Sequence, residues 1–102
     1  MYKPLPDYLT IKKSPIDGLG LYATSLIKEG THIGMTHLTP YSGEPVRTPL
    51  GGFGNHSDTP NCFKVHKMDN MASTWWIVTE RDIEVDEEIT WKYTLYSIES
   101  KS

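Results

Sequence analysis

The organisation of this chain can be worked out from one stretch, Gly54-Asn55-His56-Ser57-Asp58-Thr59-Pro60-Asn61-Cys62. It is polar, rich in turn-forming residues, and flanked on both sides by sequence typical of β-strands. The Asn, His and Ser side chains offer hydrogen-bond donors and acceptors at short range, and a rigid Thr-Pro-Asn turn would hold them in place. Taken alone, the stretch is interpreted as a loop whose polar groups cap their own backbone.

The composition indicates a small acidic protein. A length of 102 residues predicts one domain, spanning residues 1–102. The net charge of −3 disfavours non-specific binding to the phosphates of nucleic acids. We therefore expect no direct nucleic-acid contact and instead a basic partner. One cysteine excludes an internal disulfide and suits a reducing compartment. Because the sequence shows neither a signal-peptide pattern nor an apolar run of about 20 residues, we expect a soluble intracellular protein without a membrane partner.

Alternating apolar and polar residues predict a mostly β architecture of six or seven short strands with little helix. The predicted strands are residues 8–13, 19–24, 31–38, 62–68, 72–79 and 89–93. The segment 72–79 is the most apolar, so we predict that it is central and forms a hairpin with 62–68. A tight turn or a single helical turn is predicted at 25–30. Residues 39–54 contain three Pro and four Gly, and are predicted to lack regular structure.

Two catalytic or binding motifs are rejected on their context. Gly18-Leu19-Gly20-Leu21-Tyr22-Ala23 matches the dinucleotide-binding pattern, but that motif must open a helix and strand-like residues follow here. A β-turn with glycine at positive φ, or a close backbone approach to a ligand, remain as interpretations. Ser57 beside His56 is not a nucleophile–base pair, because neighbours on an extended chain point apart.

A metal site and an acid–base pair are the weaker interpretations of two further patterns. Cys62 and His66 have a spacing that some zinc sites use, but a closed site needs four ligands. A β adaptor stabilised by metal at these two residues is therefore kept only as a minor alternative. The acidic run 84–88 is interpreted as a solvated turn, with Glu87 hydrogen bonds that fix it.

Four segments of the sequence, taken together and in this order, are informative. They are Gly18-Leu19-Gly20-Leu21-Tyr22-Ala23; Ile27-Lys28-Glu29-Gly30; Asn55-His56-Ser57-x-x-Pro60-Asn61; and Arg81-Asp82-Ile83-x-x-Asp86-Glu87-Glu88-Ile89-Thr90-x-x-Tyr93. Together they resemble the SET-domain family of protein lysine methyltransferases. The first segment alone is a weak signal, whereas the third and fourth in combination are specific. The similarity runs from about residue 9 to residue 93, nearly the whole chain.

The resemblance implies a SET domain, a β-clip-like fold of several short curled sheets with a C-terminal pseudoknot and little helix. Its core would be residues 9–93, followed by a short tail, 94–102. Small stand-alone domains of this family occur in viruses and bacteria, so a viral, phage or bacterial source is one expectation. A viral protein would act in the host cytoplasm, nucleoid or nucleus. A domain this small is also expected, as one alternative, to form a homodimer.

The resemblance also implies an activity, which is transfer of a methyl group from S-adenosyl-L-methionine to the ε-amine of a lysine in a protein substrate. The substrate is expected to be basic, and no metal is expected. The implied cofactor-binding residues are Asp17, Gly18, Leu19, Asn55, His56 and Tyr93. Tyr93 is also the implied catalytic residue, and Thr36, Trp91 and Tyr96 are the implied lining of the substrate channel.

Three departures from the family pattern leave an alternative open. Met35-Thr36-His37-Leu38 stands where the family often has Tyr-x-Gly-Glu, Trp91 stands where Phe or Tyr is usual, and Asp86 replaces a usual Gly. The altered channel strand favours, as the alternative, a catalytically weak or inactive SET-like module that binds the cofactor or a lysine-containing peptide. The number of methyl groups transferred does not follow from the sequence.

Overall fold

The computed structural model describes residues 5–92, and these residues form eight strands and one short helix. In chain order the elements are β1 (Leu9–Lys13), β2 (Leu19–Ala23), β3 (His32–Pro40), β4 (Val46–Arg47), α1 (Pro49–Phe53), β5 (Asn55–His56), β6 (Cys62–Met68), β7 (Ala72–Thr79) and β8 (Glu88–Trp91). The predicted mostly β architecture with little helix is confirmed. No helix of residues 5–92 is long and apolar enough to cross a membrane.

The strands form two four-stranded sheets. One has the order β1-β2-β8-β5 and the other has the order β4-β3-β7-β6. The strand β7 lies between β3 and β6, which confirms the prediction that the most apolar segment is central. The hairpin of β6 and β7 is also confirmed, with Met68 opposite Ser73 across its end. The two sheets are short, as expected for a chain with so many turn-forming residues.

The prediction that residues 39–54 lack regular structure is wrong. The strand β3 continues to Pro40, and β4 and α1 both lie in this segment. The side chain of Thr48 caps α1 by accepting a hydrogen bond from the amide of Gly51, and Pro49 occupies the first turn, where its missing N–H is not needed. Leu50 is buried against the core, so tertiary packing overrides the poor helix propensity of a Pro- and Gly-rich segment.

The core is built from residues of both sheets, one side chain of α1 and the turn residues Ile27 and Ile83. Its buried members are Leu9, Leu21, Ala23, Ile27, Ile33, Leu50, Cys62, Ile77, Ile83, Ile89 and Trp91. Fully burying an aliphatic side chain of this size stabilises the fold by about 1.5–3 kcal/mol. An isolated bridge between Ile27 and Ile83 fastens the two turn segments that precede β3 and β8.

The strand β8 has only four residues, and the side chain of Asn61 holds it from outside the ladder. Asn61 is 2% exposed. Its amide Nδ2 donates to the carbonyl of Glu88 at 2.7 Å, and its Oδ1 accepts from the amide of Thr90 at 2.9 Å. One side chain therefore satisfies a donor and an acceptor of the β8 backbone, and Asn61 does more than form the turn that the sequence predicts.

The turn before β8 contains Asp86, which stands where the SET-domain family usually has Gly. Asp86 has φ of 69°, a left-handed conformation that favours glycine but that Asp tolerates better than most residues. The predicted role of Glu87 in the turn is confirmed, because its carboxylate accepts from the amide of Glu84 at 2.9 Å. The guanidinium of Arg81 also binds this carboxylate, and it holds the pKa of Glu87 below its usual value.

We expect replacement of Asn61 by Ala to lower the free energy of unfolding by about 2–4 kcal/mol, because two backbone groups of β8 lose their partner in a buried site. Urea unfolding followed by tryptophan fluorescence measures this change. Asn70→Ala, at an exposed position between β6 and β7, is the matched control and should stay within about 0.5 kcal/mol of the wild type. A stability of Asn61→Ala equal to that of the control would contradict the role assigned to Asn61.

Candidate functional site

The candidate site begins where β5 runs parallel to β8. Asn55 pairs with Thr90 and His56 pairs with Trp91. The amide of Ser57 extends this pairing by donating to the carbonyl of Trp91 at 3.2 Å. The parallel arrangement places the Asn-His pair, 35 residues away in the sequence, against the strand that leads to Tyr93.

The side chain of Asn55 joins this strand pair to the loop between β1 and β2. Asn55 is 7% exposed. Its Nδ2 lies 3.3 Å from the carbonyl oxygen of Asp17, 3.2 Å from that of Leu19, and 2.8 Å from Oε2 of Glu88. The side-chain amide of Asn55 therefore joins two sets of predicted cofactor residues that are far apart in the sequence, residues 17–19 and residues 55–56.

Glu88 is the residue that the sequence interpretation missed. Besides Asn55, its carboxylate accepts hydrogen bonds from the hydroxyl of Ser14, at 2.8 and 2.9 Å, and from the hydroxyl of Tyr22, at 3.3 Å. It thus binds one group from each of three segments and fixes the ends of the loop 14–18. The available signal is its place in the Glu87-Glu88-Ile89-Thr90 part of the fourth family segment, but the sequence interpretation assigns residues 84–88 to a solvated turn.

The backbone of this loop is presented to solvent. Asp17, Gly18 and Leu19 are all exposed, and Gly18 has φ of 43°, a conformation that side chains rarely adopt. A Cβ at position 18 would meet no atom within 4 Å, so an open surface faces this glycine. At Gly20, by contrast, a Cβ would overlap the carboxylate of Glu88, and the absence of a side chain there allows the approach of Glu88.

His56 points its ring to a local partner. Its Nε2 lies 3.0 Å from Oδ1 of Asp58, and the imidazole side chain is 36% exposed. The backbone of His56 is fixed in the pair of β5 with β8, while the ring remains near the surface. The residue can therefore contribute main-chain and side-chain groups to the same open face.

Trp91 is 1% exposed and carries an unpaired donor. Its indole Nε1 has no hydrogen-bond acceptor among the described residues. The six-membered ring packs on Gly54, where a Cβ would overlap it. The ammonium of Lys64 lies 5.9 Å from the ring centroid, a cation–π distance.

Three predicted site residues remain, which are Thr36, Tyr93 and Tyr96. Thr36 is fully buried, and its hydroxyl donates to the carbonyl of Trp75 at 3.2 Å. Its role in the channel stays a prediction. Tyr93 and Tyr96 lie outside the described residues, and their roles stay predictions as well.

A cavity of about 240 Å³ opens beside Trp91. We call it the basic pocket, and its lining residues are His37, Arg47, Gly51, Gly52, Lys64 and Trp91. Burial lowers the pKa of His37 below its usual value, and the positive charges of Lys64 and Arg47 lower it further. Burial also lowers the pKa of Lys64. A separate cavity of about 400 Å³ lies between Leu5 and Leu50, and no predicted cofactor residue lines it.

The geometry gives no support to a metal site at Cys62 and His66. Cys62 is a buried free cysteine, and burial raises the pKa of its thiol to about 12, as for a packed neutral side chain. The ring of His66 stacks on Trp75, with centroids 4.4 Å apart. Within residues 5–92, no group of three or more His, Cys, Asp and Glu side chains converges as metal ligands would.

Comparison with known proteins agrees with this architecture. A solved structure of a Plasmodium falciparum protein, provisionally described as a histone methyltransferase, superimposes with a TM-score of 0.70 at 20% sequence identity, over 87% of this chain and 95% of that one. A search of curated proteins gave no significant match. The family model of the SET domain matches residues 39–94, which is more than half of the 102 residues. The chain therefore belongs to the SET-domain family.

Proposed function

We propose that the protein is a methyltransferase, and specifically an S-adenosyl-L-methionine-dependent protein lysine N-methyltransferase. Membership of the SET-domain family supports methyl transfer in general. The observation that carries the finer proposal is the convergence of Asn55 with the backbone of Asp17 and Leu19, since these are the residues that the family resemblance assigns to the cofactor. The likeness to the Plasmodium structure supports the fold alone.

The residues present fit this cofactor. S-adenosyl-L-methionine carries a positive sulfonium and a positive amino group, and Glu88 and the Asp17 and Leu19 carbonyls are the negative and acceptor groups that converge here. The open surface at Gly18 leaves room for a bulky ligand against the backbone. No donor among the described residues bonds to Oδ1 of Asn55. The neighbouring residue, His56, is half-buried.

These contacts suggest a role for each residue in the proposed reaction. When bound, the cofactor supplies an electrophilic methyl group. Glu88 and Asn55 are positioning residues, because they hold the loop that contacts the cofactor. Tyr93 comes two residues after Trp91, where β8 ends, and we assign its hydroxyl to orienting the substrate amine for in-line attack. Most of the rate then comes from alignment, which can contribute about 7–11 kcal/mol to lowering a barrier.

The substrate amine must arrive without its proton, because an ammonium has no lone pair. The ε-amine of free lysine has a pKa of about 10.4, and transfer of the amine into a buried channel lowers that pKa. Trp91 is buried beside the start of the proposed channel and supplies an apolar wall. The positive charge of the sulfonium acts in the same direction.

A second candidate function is an inactive binding module. The observation that favours it is that Thr36, the predicted channel residue on β3, is fully buried and its hydroxyl already donates to the carbonyl of Trp75. Such a module would bind S-adenosyl-L-methionine in calorimetry without labelling any lysine. Methyl transfer to a lysine of any protein substrate, detected by mass spectrometry with labelled cofactor, would reject it.

Tyr93→Phe should lower the rate of methyl transfer at saturating cofactor at least about a hundredfold, because loss of the hydroxyl misaligns the amine. The measurement is transfer of labelled methyl groups, with calorimetry for binding. Tyr41→Phe, at a tyrosine that is 54% exposed, is the control and should keep full activity. Full activity of Tyr93→Phe would remove Tyr93 from its assigned role.

Glu88→Ala should weaken binding of S-adenosylhomocysteine about tenfold, because Ser14, Tyr22 and Asn55 lose their common acceptor and the loop 14–18 loosens. Glu88→Gln keeps an acceptor oxygen and should weaken binding less, so it decides the result if the Ala variant unfolds. Glu84→Ala, at an exposed carboxylate, is the control. Unchanged affinity in both Glu88 variants would contradict the positioning role.

A further inference from the structure

The sheet β4-β3-β7-β6 carries basic residues on one face. Arg47 pairs directly with His37, and His37 pairs with Trp75, which in turn pairs with His66. Directly paired residues on neighbouring strands point to the same side of a sheet. Lys64 is two residues from His66 and shares that side. A protein of net charge −3 thus concentrates positive charge on one local surface.

Two cavities meet on this surface. His37 and Lys64 line the basic pocket, and they also line a second cavity of about 250 Å³ with Thr39, Pro45 and Trp75. The shared residues join the two cavities into a groove that runs from Trp91 towards Trp75. Among the described residues that line either cavity, none is Asp or Glu.

Arg47 and Lys64, the arginine and the lysine that line the groove, have no acidic partner in residues 5–92. Neither Arg47 nor Lys64 takes part in an ion pair within this range, although other surface lysines do, such as Lys12 with Asp86. Lys64 is half-buried, and a desolvated ammonium is poorly stabilised without an anion. Gly51 leaves space for the Arg47 side chain, since a Cβ at this position would lie 3.1 Å from Cγ of Arg47.

Trp91 adds a third unsatisfied group to the basic pocket. It lines the pocket, and its indole N–H is buried without an acceptor in the described part of the chain. Two cations and one neutral donor around a single cavity are complementary to a carboxylate, which accepts hydrogen bonds at two oxygens. A lysine ammonium, by contrast, would be repelled there.

We propose that the basic pocket binds the carboxylate of an Asp or Glu side chain that lies close to the target lysine in the protein substrate. The proposal rests on the proposed methyl transfer, and it narrows the substrate class. It revises the expectation, based on net charge alone, that the substrate is simply basic. The acidic side chain of the substrate would lie over Arg47 and Lys64, beside Trp91.

The position of the pocket favours a substrate carboxylate over that of the cofactor. The predicted cofactor-binding residues within the described range are Asp17, Gly18, Leu19, Asn55 and His56, and none of them lines the basic pocket. Trp91 stands between the two, paired with His56 through its backbone and facing the pocket with its side chain. The same groove also continues away from Trp91 to Trp75, as a site for an extended segment would.

The test uses short peptides with one central lysine in a Gly/Ser/Ala background, each carrying a single Glu or a single Gln at one flanking position. Binding is measured by fluorescence anisotropy of labelled peptides, and methyl transfer is measured by mass spectrometry. We expect one Glu position to bind about tenfold more tightly than its Gln counterpart, the effect of one charge-assisted hydrogen-bonded contact. If transfer occurs, KM should show the preference and kcat should not.

The double variant Arg47→Gln/Lys64→Gln should lose the preference for Glu and keep its affinity for S-adenosylhomocysteine. Lys67→Gln is the matched control, because Lys67 lies on β6 but lines neither cavity and contacts the ring of Trp76 instead. A melting temperature near that of the wild type for both proteins confirms that they fold.

The outcomes separate this proposal from the proposed function. A preference for Glu in binding, lost in the double variant but without methyl transfer, would support the pocket and reject catalysis on these peptides. Transfer that is equal for Glu and Gln peptides would support catalysis and overturn the pocket. Loss of cofactor affinity in the double variant would assign the pocket to the cofactor carboxylate, and selective binding of a single-stranded DNA oligonucleotide would assign the face to nucleic acid. Either of these results would overturn the proposal.

Discussion

The structure depends on how a strand of four residues is held between two others. β8 pairs with β2 on one side and with β5 on the other, and three of its residues, Ile89, Thr90 and Trp91, are buried. So short a strand is not stable alone, because its few ladder bonds do not offset the entropy of ordering it. Asn61 supplies the missing constraint by bonding the β8 backbone on both sides of Ile89. The same loop that provides Asn61 therefore fixes the strand that leads to Tyr93.

The site inherits its geometry from that strand. Glu88, at the start of β8, gathers Ser14, Tyr22 and Asn55 around one carboxylate, so the loop 14–18 is positioned relative to β5 through β8. A shift of β8 would move the predicted cofactor surface and the indole of Trp91 together. This coupling explains why polar side chains are kept in an otherwise apolar interior, where each must be hydrogen-bonded to be tolerated. The threading of the chain that the predicted pseudoknot requires involves residues beyond 92 and stays a prediction.

The sequence predicted the strands well, because alternation of apolar and polar residues reports directly on a half-buried strand. It failed for α1, whose Pro and Gly content hides a helix that depends on the Thr48 cap and on burial of Leu50. It also failed for Glu88, since a carboxylate that binds partners 33 and 74 residues away leaves no local pattern. The distribution of charge was equally hidden: a net charge of −3 does not reveal that Arg47 on β4 and Lys64 on β6 line the same cavity.

Titration of the ¹⁵N-labelled protein with S-adenosylhomocysteine, followed by ¹H–¹⁵N NMR, tests most directly whether the loop and β5 form one cofactor surface. The account predicts saturable shifts of the Gly18, Leu19 and His56 backbone amides with a common dissociation constant, and little change at Lys64. Absence of saturable shifts at Gly18, Leu19 and His56, or shifts confined to the basic pocket, would contradict it.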